Sequence, residues 1–485
     1  MNRSSKIILS LVLAIYGFIG LAHSYHQGFW HDEIYTLTFL QGVSVYDFEG
    51  SVWSEVDVLF DASFCKKVLS QDNFISNFPV QILHEGHPPL YFIILKGWST
   101  IFGTTEVGLR SFSLLCGILT FVVLFGLFYK ETKRKYVAWF LLAMLVFNPF
   151  LFYFFTEARM YSLALLFASL SFKFWISYTK ERKINSMSFL FFSLSSICLL
   201  YTHYYGAFFL STLVLFELIK YGFHKSMFNH LIALICFLPW GVVIKKQLAF
   251  HNVHWTDGAL TFIDSVKAFV TGIFHLIISP MSKPLFFELV ITSSILVVIM
   301  GLSLTINWKK LGIGVGVIFA YFLQIYMFDQ IVDHHSIMVP RYYVFVLIFI
   351  YWFLFKLMNA KFRLPMFFVF ALYFGMSANV LFQIYNLERA PKQMLREVAG
   401  FVDNRHGVEN RTLVLEPKGP LAFGLSYYLN KNFDLMHAEN GKIEVDANAV
   451  YIDQMLGDTN VENRLDNEVQ NNLELVPFAG VFLYQ

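Results

Sequence analysis

Charge is what this chain has least of. Of its 485 residues only 14% are Asp, Glu, Lys or Arg, against about 25% in a soluble globular protein. That deficit excludes an ordinary cytosolic enzyme, a disordered chain and a nucleic-acid binder with a basic groove. Cysteine is scarce as well, with four in all. Cys116, Cys198 and Cys236 lie in apolar runs and Cys65 in a polar stretch, so neither a disulfide framework nor a zinc ribbon is indicated. Internal repeats and low-complexity tracts are missing too. What is abundant is apolar: 56% of the residues are hydrophobic, among them 56 Phe and 25 Tyr. Lipid-facing helices absorb aromatic surface that water rejects. The expectation is an all-α polytopic membrane protein with a small soluble α/β domain at its C-terminal end.

A helix needs about 20 mostly apolar residues to cross a bilayer. That rule predicts eleven spans, near 7–24, 106–129, 136–155, 158–178, 187–202, 204–221, 228–244, 287–306, 311–328, 341–357 and 365–386. The first follows Arg3 and Lys6 with no small-residue cleavage site and reads as a retained signal anchor. Basic clusters such as Lys130/Lys133/Arg134/Lys135 and Lys356/Lys361/Arg363 fall on every second connection, which puts the N-terminus inside. The apolar stretch 88–103 opens with two prolines and contains Lys96 and Gly97. The alternation holds only if this stretch lies in the interface instead of crossing. The domain reading is a transmembrane domain over 1–386, with a large first outer loop at 25–105, followed by a soluble outer-face domain over 387–485. That tail holds 15 acidic and 9 basic residues. Its pattern predicts strands near 412–415, 450–452 and 480–484 and a helix near 420–430.

Polar groups near the outer ends of the spans are the informative ones, because ionisable residues at membrane depth are costly. His31-Asp32-Glu33 follows the first span; its two carboxylates suit a general base for an acceptor hydroxyl or amine, or else a solvated loop cap. His84-Glu85-Gly86-His87-Pro88-Pro89 opens the interfacial stretch and sets His87 at headgroup level, where a lipid phosphate lies; the plainer reading is a helix start. Thr156-Glu157-Ala158-Arg159-Met160-Tyr161 places a Glu and an Arg between apolar runs. Arg159 is either a phosphate fork or the partner of Glu157 in a pair tying two helices. Tyr201-Thr202-His203-Tyr204 and Pro340-Arg341-Tyr342 are either interfacial anchors or further site residues. His334 and His335 with His251 and His254 fit no strong zinc template.

Taken together, these five motifs resemble the polytopic glycosyltransferases of the C-type fold, and most closely the protein mannosyltransferase and aminoarabinose transferase group, over roughly residues 7–400. The resemblance implies inverting transfer of a sugar from a polyprenyl-phosphate carrier to a lipid, glycan or protein acceptor on the outer membrane face. It assigns Asp32 as base, with Glu33 beside it positioning the acceptor. His87, Arg159, Arg341 and Tyr342 are assigned to the carrier phosphate. Glu157 then orients the arginine, and Tyr161, His203 and Tyr204 support the site. No metal and no obligatory cofactor are implied, while a divalent cation near Asp32 and Glu33 stays open. Two departures stand out. The aminoarabinose branch favours Lys where His87 stands, and no eukaryote-type repeat domain interrupts the spans. The implied location is a bacterial inner (plasma) membrane, with the active site and tail facing the periplasm. The partners are the lipid-linked donor, the acceptor and the bilayer, with no nucleic acid. The competing readings are a transporter or flippase of a lipid-linked sugar, and a non-catalytic protein that binds one.

Overall fold

The computed structural model describes residues 1–43, 60–181, 186–223, 227–250, 258–278, 308–360, 364–387, 395–404, 412–416, 420–430, 434–437, 449–453, 475–478 and 481–484. Among these, five helices are long and apolar enough to cross a membrane: Arg3–His26, Glu106–Glu131, Tyr161–Lys180, His230–Leu248 and Val315–Val332. A sixth arises if the bent pair Lys135–Val146 and Pro149–Phe155 is taken as one span. The chain is an integral, multi-pass membrane protein. The predicted spans at 187–202, 204–221 and 341–357 correspond to the shorter helices Met187–Leu200, Gly206–Tyr221 and Val346–Ala360. At 1.5 Å per residue such helices reach about 21–24 Å, short of a hydrocarbon core of about 30 Å. The predicted span at 365–386 falls on the helix Leu364–Tyr385, and the one at 287–306 lies outside the described residues. The helix Leu90–Phe102, in the stretch expected to lie in the interface, has 13 residues.

The chain divides into two compact units. The first comprises Met1–Leu21, Gly86–Tyr91 and Arg110–Ala390; the second comprises Ala22–Glu85, Phe92–Leu109 and Pro391–Gln485.

Aromatic side chains fill the first unit. Tyr16 packs edge-on against Phe121 and Phe152, and Phe128 stacks on Phe355. Its helices are interrupted where the sequence supplies a restart signal. Asn148 accepts the Leu151 N–H at 2.9 Å with Pro149 at the first helical position, so a new helix begins there. The result is a 60° bend between Lys135–Val146 and Pro149–Phe155. The Asn148 side chain also donates to the Leu276 carbonyl at 3.0 Å, which fixes the bend from a second side. Glycine matters at position 117, where an added Cβ would stand 2.1 Å from the Phe155 ring. The restarted helix therefore packs directly on the backbone of Glu106–Glu131.

The second unit contains a six-stranded sheet: β1 (Phe60–Asp61), β2 (Thr412–Glu416), β3 (Asp434–His437), β4 (Ala449–Asp453), β5 (Leu475–Phe478) and β6 (Val481–Tyr484), in the order β1-β3-β2-β4-β6-β5. β2 runs parallel to both β3 and β4, while β1, β5 and β6 pair antiparallel. The edge strand β1 comes from the first loop, so loop and tail are parts of one sheet. Helix Pro420–Tyr428 follows β2 and packs on Ala62–Leu69, where Lys66 donates to the Leu429 carbonyl. Arg396 donates to the Tyr25 carbonyl at 2.8 Å and pairs with Glu106, which also accepts the Tyr428 hydroxyl. Gly42 ends the helix His31–Gln41 at φ +77°, with the Asn73 backbone 2.3 Å from where a Cβ would sit. Only glycine tolerates both conditions.

Candidate functional site

Four of the five motifs meet in the first unit, and His203 is their centre. Its ring lies 5.8 Å from that of His87, 5.7 Å from Tyr161 and 6.2 Å from Tyr342. The Arg341 guanidinium stands 6.0 Å from the Tyr161 ring centre and 5.9 Å from that of Tyr342. Burial, reinforced by the nearby His87, Arg159 and Arg341, holds the His203 imidazole well below its ordinary range. The ring is therefore neutral.

Each side chain is placed by a local break in a helix. Helix Pro149–Phe155 ends at Thr156, and the turn 156–160 precedes the helix Tyr161–Glu181. Within that turn the Arg159 N–H donates to the Glu157 carbonyl at 2.8 Å, and Ser113 donates to the Arg159 carbonyl at 3.3 Å. Glu157 is fully buried and Arg159 nearly so. Charge at such depth is retained where it meets a partner or a ligand. His87 precedes Pro88 and Pro89, and the Leu90 N–H beyond them donates to the Tyr201 carbonyl at 3.0 Å. That bond joins the second motif to the fourth.

Several residues of the site carry no signal in the motif reading. Tyr204 donates to Gln247 and accepts from the Trp240 indole at 3.0 Å, and Gln247 in turn reaches the His87 carbonyl at 3.5 Å. The apolar run around Gln247 hides it. Asp329, near the end of the helix Trp308–Val332, accepts from the Ser336 hydroxyl and from the Ile337 N–H at 2.9 Å. It thereby holds the turn Ser336–Met338, which leads into the turn Pro340–Tyr343 carrying Arg341 and Tyr342. An acid near the end of a spanning helix is the signal that points to it, and the predicted span stopped one residue short.

Asp32 and Glu33 belong to the second unit, in the first turn of the helix His31–Gln41. Acidic residues there suit the positive end of the helix. Glu33 is fully buried and accepts the Trp30 N–H at 3.3 Å, so its carboxylate caps the helix. Asp32 is half-buried.

Among the described residues, no group of three or more His, Cys, Asp and Glu side chains is arranged to hold a metal ion. His335 Nδ1 lies 3.1 Å from the Gly258 carbonyl, and His251 and His254 fall outside the described residues.

Residues 86–243 match the family model described as dolichyl-phosphate-mannose-protein mannosyltransferase. The matched third of the chain contains His87, Glu157, Arg159, Tyr161, His203 and Tyr204. Asp32, Glu33, Arg341 and Tyr342 lie outside it. No curated protein matches the chain by sequence. Among solved structures, ArnT from Cupriavidus metallidurans bound to undecaprenyl phosphate aligns over 100% of this chain and 98% of its own, with a TM-score of 0.52 at 10% identity. The same protein in the apo state aligns over 99% and 97%, with a TM-score of 0.52 at 11% identity. The Archaeoglobus fulgidus oligosaccharyltransferase aligns over 87% of this chain and 64% of its own, with a TM-score of 0.41 at 10% identity. The resemblance read from the motifs is thus matched on both counts: the fold is similar to that of ArnT, and residues 86–243 match the mannosyltransferase family model.

Proposed function

We propose that this chain, a membrane protein with a mannosyltransferase-family segment over residues 86–243, moves a sugar from a polyprenyl-phosphate carrier to a lipid, glycan or protein acceptor on the outer face of a bacterial plasma membrane. The observation that carries the reading is the gathering of His87, Arg159 and Arg341 around a buried, neutral His203. In a poorly hydrated place a phosphate gains strong charge-assisted hydrogen bonds from such cations. Arginine is the better residue for that task, because its planar fork binds two oxygens at once.

In the proposed reaction an acceptor hydroxyl or amine attacks the anomeric carbon from the face opposite the phosphate. The new bond forms as the sugar–phosphate C–O bond breaks, and the configuration inverts. Negative charge collects on the departing polyprenyl phosphate, where Arg159 and Arg341 compensate it, with His87 and Tyr342 beside them. The acceptor's proton passes to a carboxylate, for which Asp32 is the proposed residue. Glu33 caps its own helix through the Trp30 N–H, and its proposed part is to position the acceptor beside Asp32. Glu157, Tyr161 and Tyr204 are proposed as support for the arginines and for His87. Because the arginines supply the charge compensation, the reading calls for no obligatory metal.

The test compares lipid-linked sugars and surface glycans by mass spectrometry in cells with and without the protein. Loss of one glycan modification together with accumulation of one polyprenyl-phosphate sugar is expected. Unchanged pools of both would overturn the assignment.

A further inference from the structure

His203 is 2% exposed, and its two ring nitrogens have different surroundings. Nδ1 accepts the backbone N–H of Tyr205 at 3.2 Å. A nitrogen that accepts a hydrogen bond carries no proton, so the proton of this neutral ring sits on Nε2. Nε2 is buried and has no hydrogen-bond partner among the described residues. Buried donors are rarely left in that state, because the lost water is not replaced. This donor sits among groups whose chemistry suits an anion: the His87 and Tyr161 rings lie within 6 Å of its ring, and Arg159 and Arg341 are close enough to oppose protonation.

We infer that His203, locked by Tyr205 as its Nε2–H tautomer, donates a hydrogen bond to a non-bridging oxygen of the carrier phosphate. The inference rests on the phosphate reading given above and adds a donor to it. The tautomer also limits what else the ring does. Nε2 has no lone pair to bind a metal or to accept the acceptor's proton, since either role needs the proton on Nδ1. His203 is therefore a binding residue for the leaving group, and the base lies elsewhere. A neutral donor adds a fixed contact for the phosphate without adding a further positive charge beside the arginines.

The experiment measures binding of undecaprenyl phosphate, undecaprenol and phosphatidic acid, together with thermal stability, for the full-length protein and two variants. His203→Asn keeps an acceptor for the Tyr205 N–H, in the manner of an Asx turn, but lacks the distal donor. His203→Gln extends an amide N–H toward the position of Nε2. The expected result is about tenfold weaker undecaprenyl phosphate binding in His203→Asn, with undecaprenol binding and Tm unchanged. Partial recovery is expected in His203→Gln. His203→Asn binding undecaprenyl phosphate as tightly as the unaltered protein would overturn the inference while leaving the phosphate site standing. So would an equal loss for undecaprenol, or failure of both variants to fold, since each assigns the ring a structural role. An unaltered protein with no preference for undecaprenyl phosphate over undecaprenol overturns the phosphate site itself. Phosphatidic acid bound as tightly, and weakened as much in His203→Asn, transfers the contact to a membrane phospholipid and overturns the carrier assignment.

Discussion

Asp32 and Glu33 are adjacent carboxylates with different surroundings. Glu33 is fully buried against the Trp30 N–H, whereas Asp32 is half-buried on the first turn of the same helix. The proposed base is accordingly Asp32. Asp32→Asn is expected to fold and to bind the carrier normally while losing about 10²–10⁴-fold in turnover, the usual contribution of a general base. Turnover of the purified variant with a saturating donor checks this, and near-normal activity would move the base elsewhere. Arg159 poses the other residue-scale question, because it lies two positions from Glu157 in a buried turn. Lysine keeps the charge and loses the fork. Arg159→Lys should therefore weaken carrier binding about tenfold to a hundredfold at unchanged Tm, since a charge-assisted hydrogen bond contributes about 1.5–3 kcal/mol. If Arg159 serves only to tie the helices, Arg159→Lys and Glu157→Gln each lower Tm and leave binding intact.

At the scale of elements, the site is made of helix ends. Arg159 follows a helix of seven residues, His203 and Tyr204 lie between Met187–Leu200 and Gly206–Tyr221, and Arg341 opens a 3-10 turn. Helix ends leave backbone groups unsatisfied, so each break needs a local device. At the restart Pro149–Phe155 the device is Asn148, which caps the new helix and also bonds the Leu276 carbonyl. Asn148→Ala should destabilise the protein by about 1–2 kcal/mol through the lost cap. Asn148→Ser should lose less, because its hydroxyl still caps. Thermal unfolding in detergent ranks the two, and equal losses would show that the Leu276 contact outweighs the cap. The turn bearing Arg341 depends likewise on Asp329 and Ser336, two residues outside every motif.

For the whole molecule, the distribution of basic residues predicts that the loops at 130–135 and 356–363 are cytoplasmic and that the chain beyond Leu387 is outside. In a background lacking the four native cysteines, single cysteines in the tail should react with an impermeant thiol reagent in intact cells. Those at 130–135 should react only after permeabilisation. The reverse pattern would place the tail inside and overturn the outer-face assignment. The sheet of the second unit fits a common location for first loop and tail, because β1 of that loop pairs with β3 of the tail.

Much of this protein is legible in its sequence because its solvent changes along the chain. A bilayer demands long apolar helices, and those at Arg3–His26, Glu106–Glu131 and Tyr161–Lys180 meet that demand within a few residues of the predicted spans. The ionisable residues in such surroundings are few, so His87, Arg159 and Arg341 stand out individually. Tertiary structure decided what composition does not encode. It brought residues 87, 159 and 341 around the ring of His203, a matter of packing between helices far apart in sequence. It separated Asp32 from Glu33 by capping, and it recruited Gln247 and Asp329 through hydrogen bonds to distant backbone or loop groups. It also joined the first loop to the tail, because strand pairing is a non-local choice between edges that hydrophobic periodicity within either segment leaves unspecified.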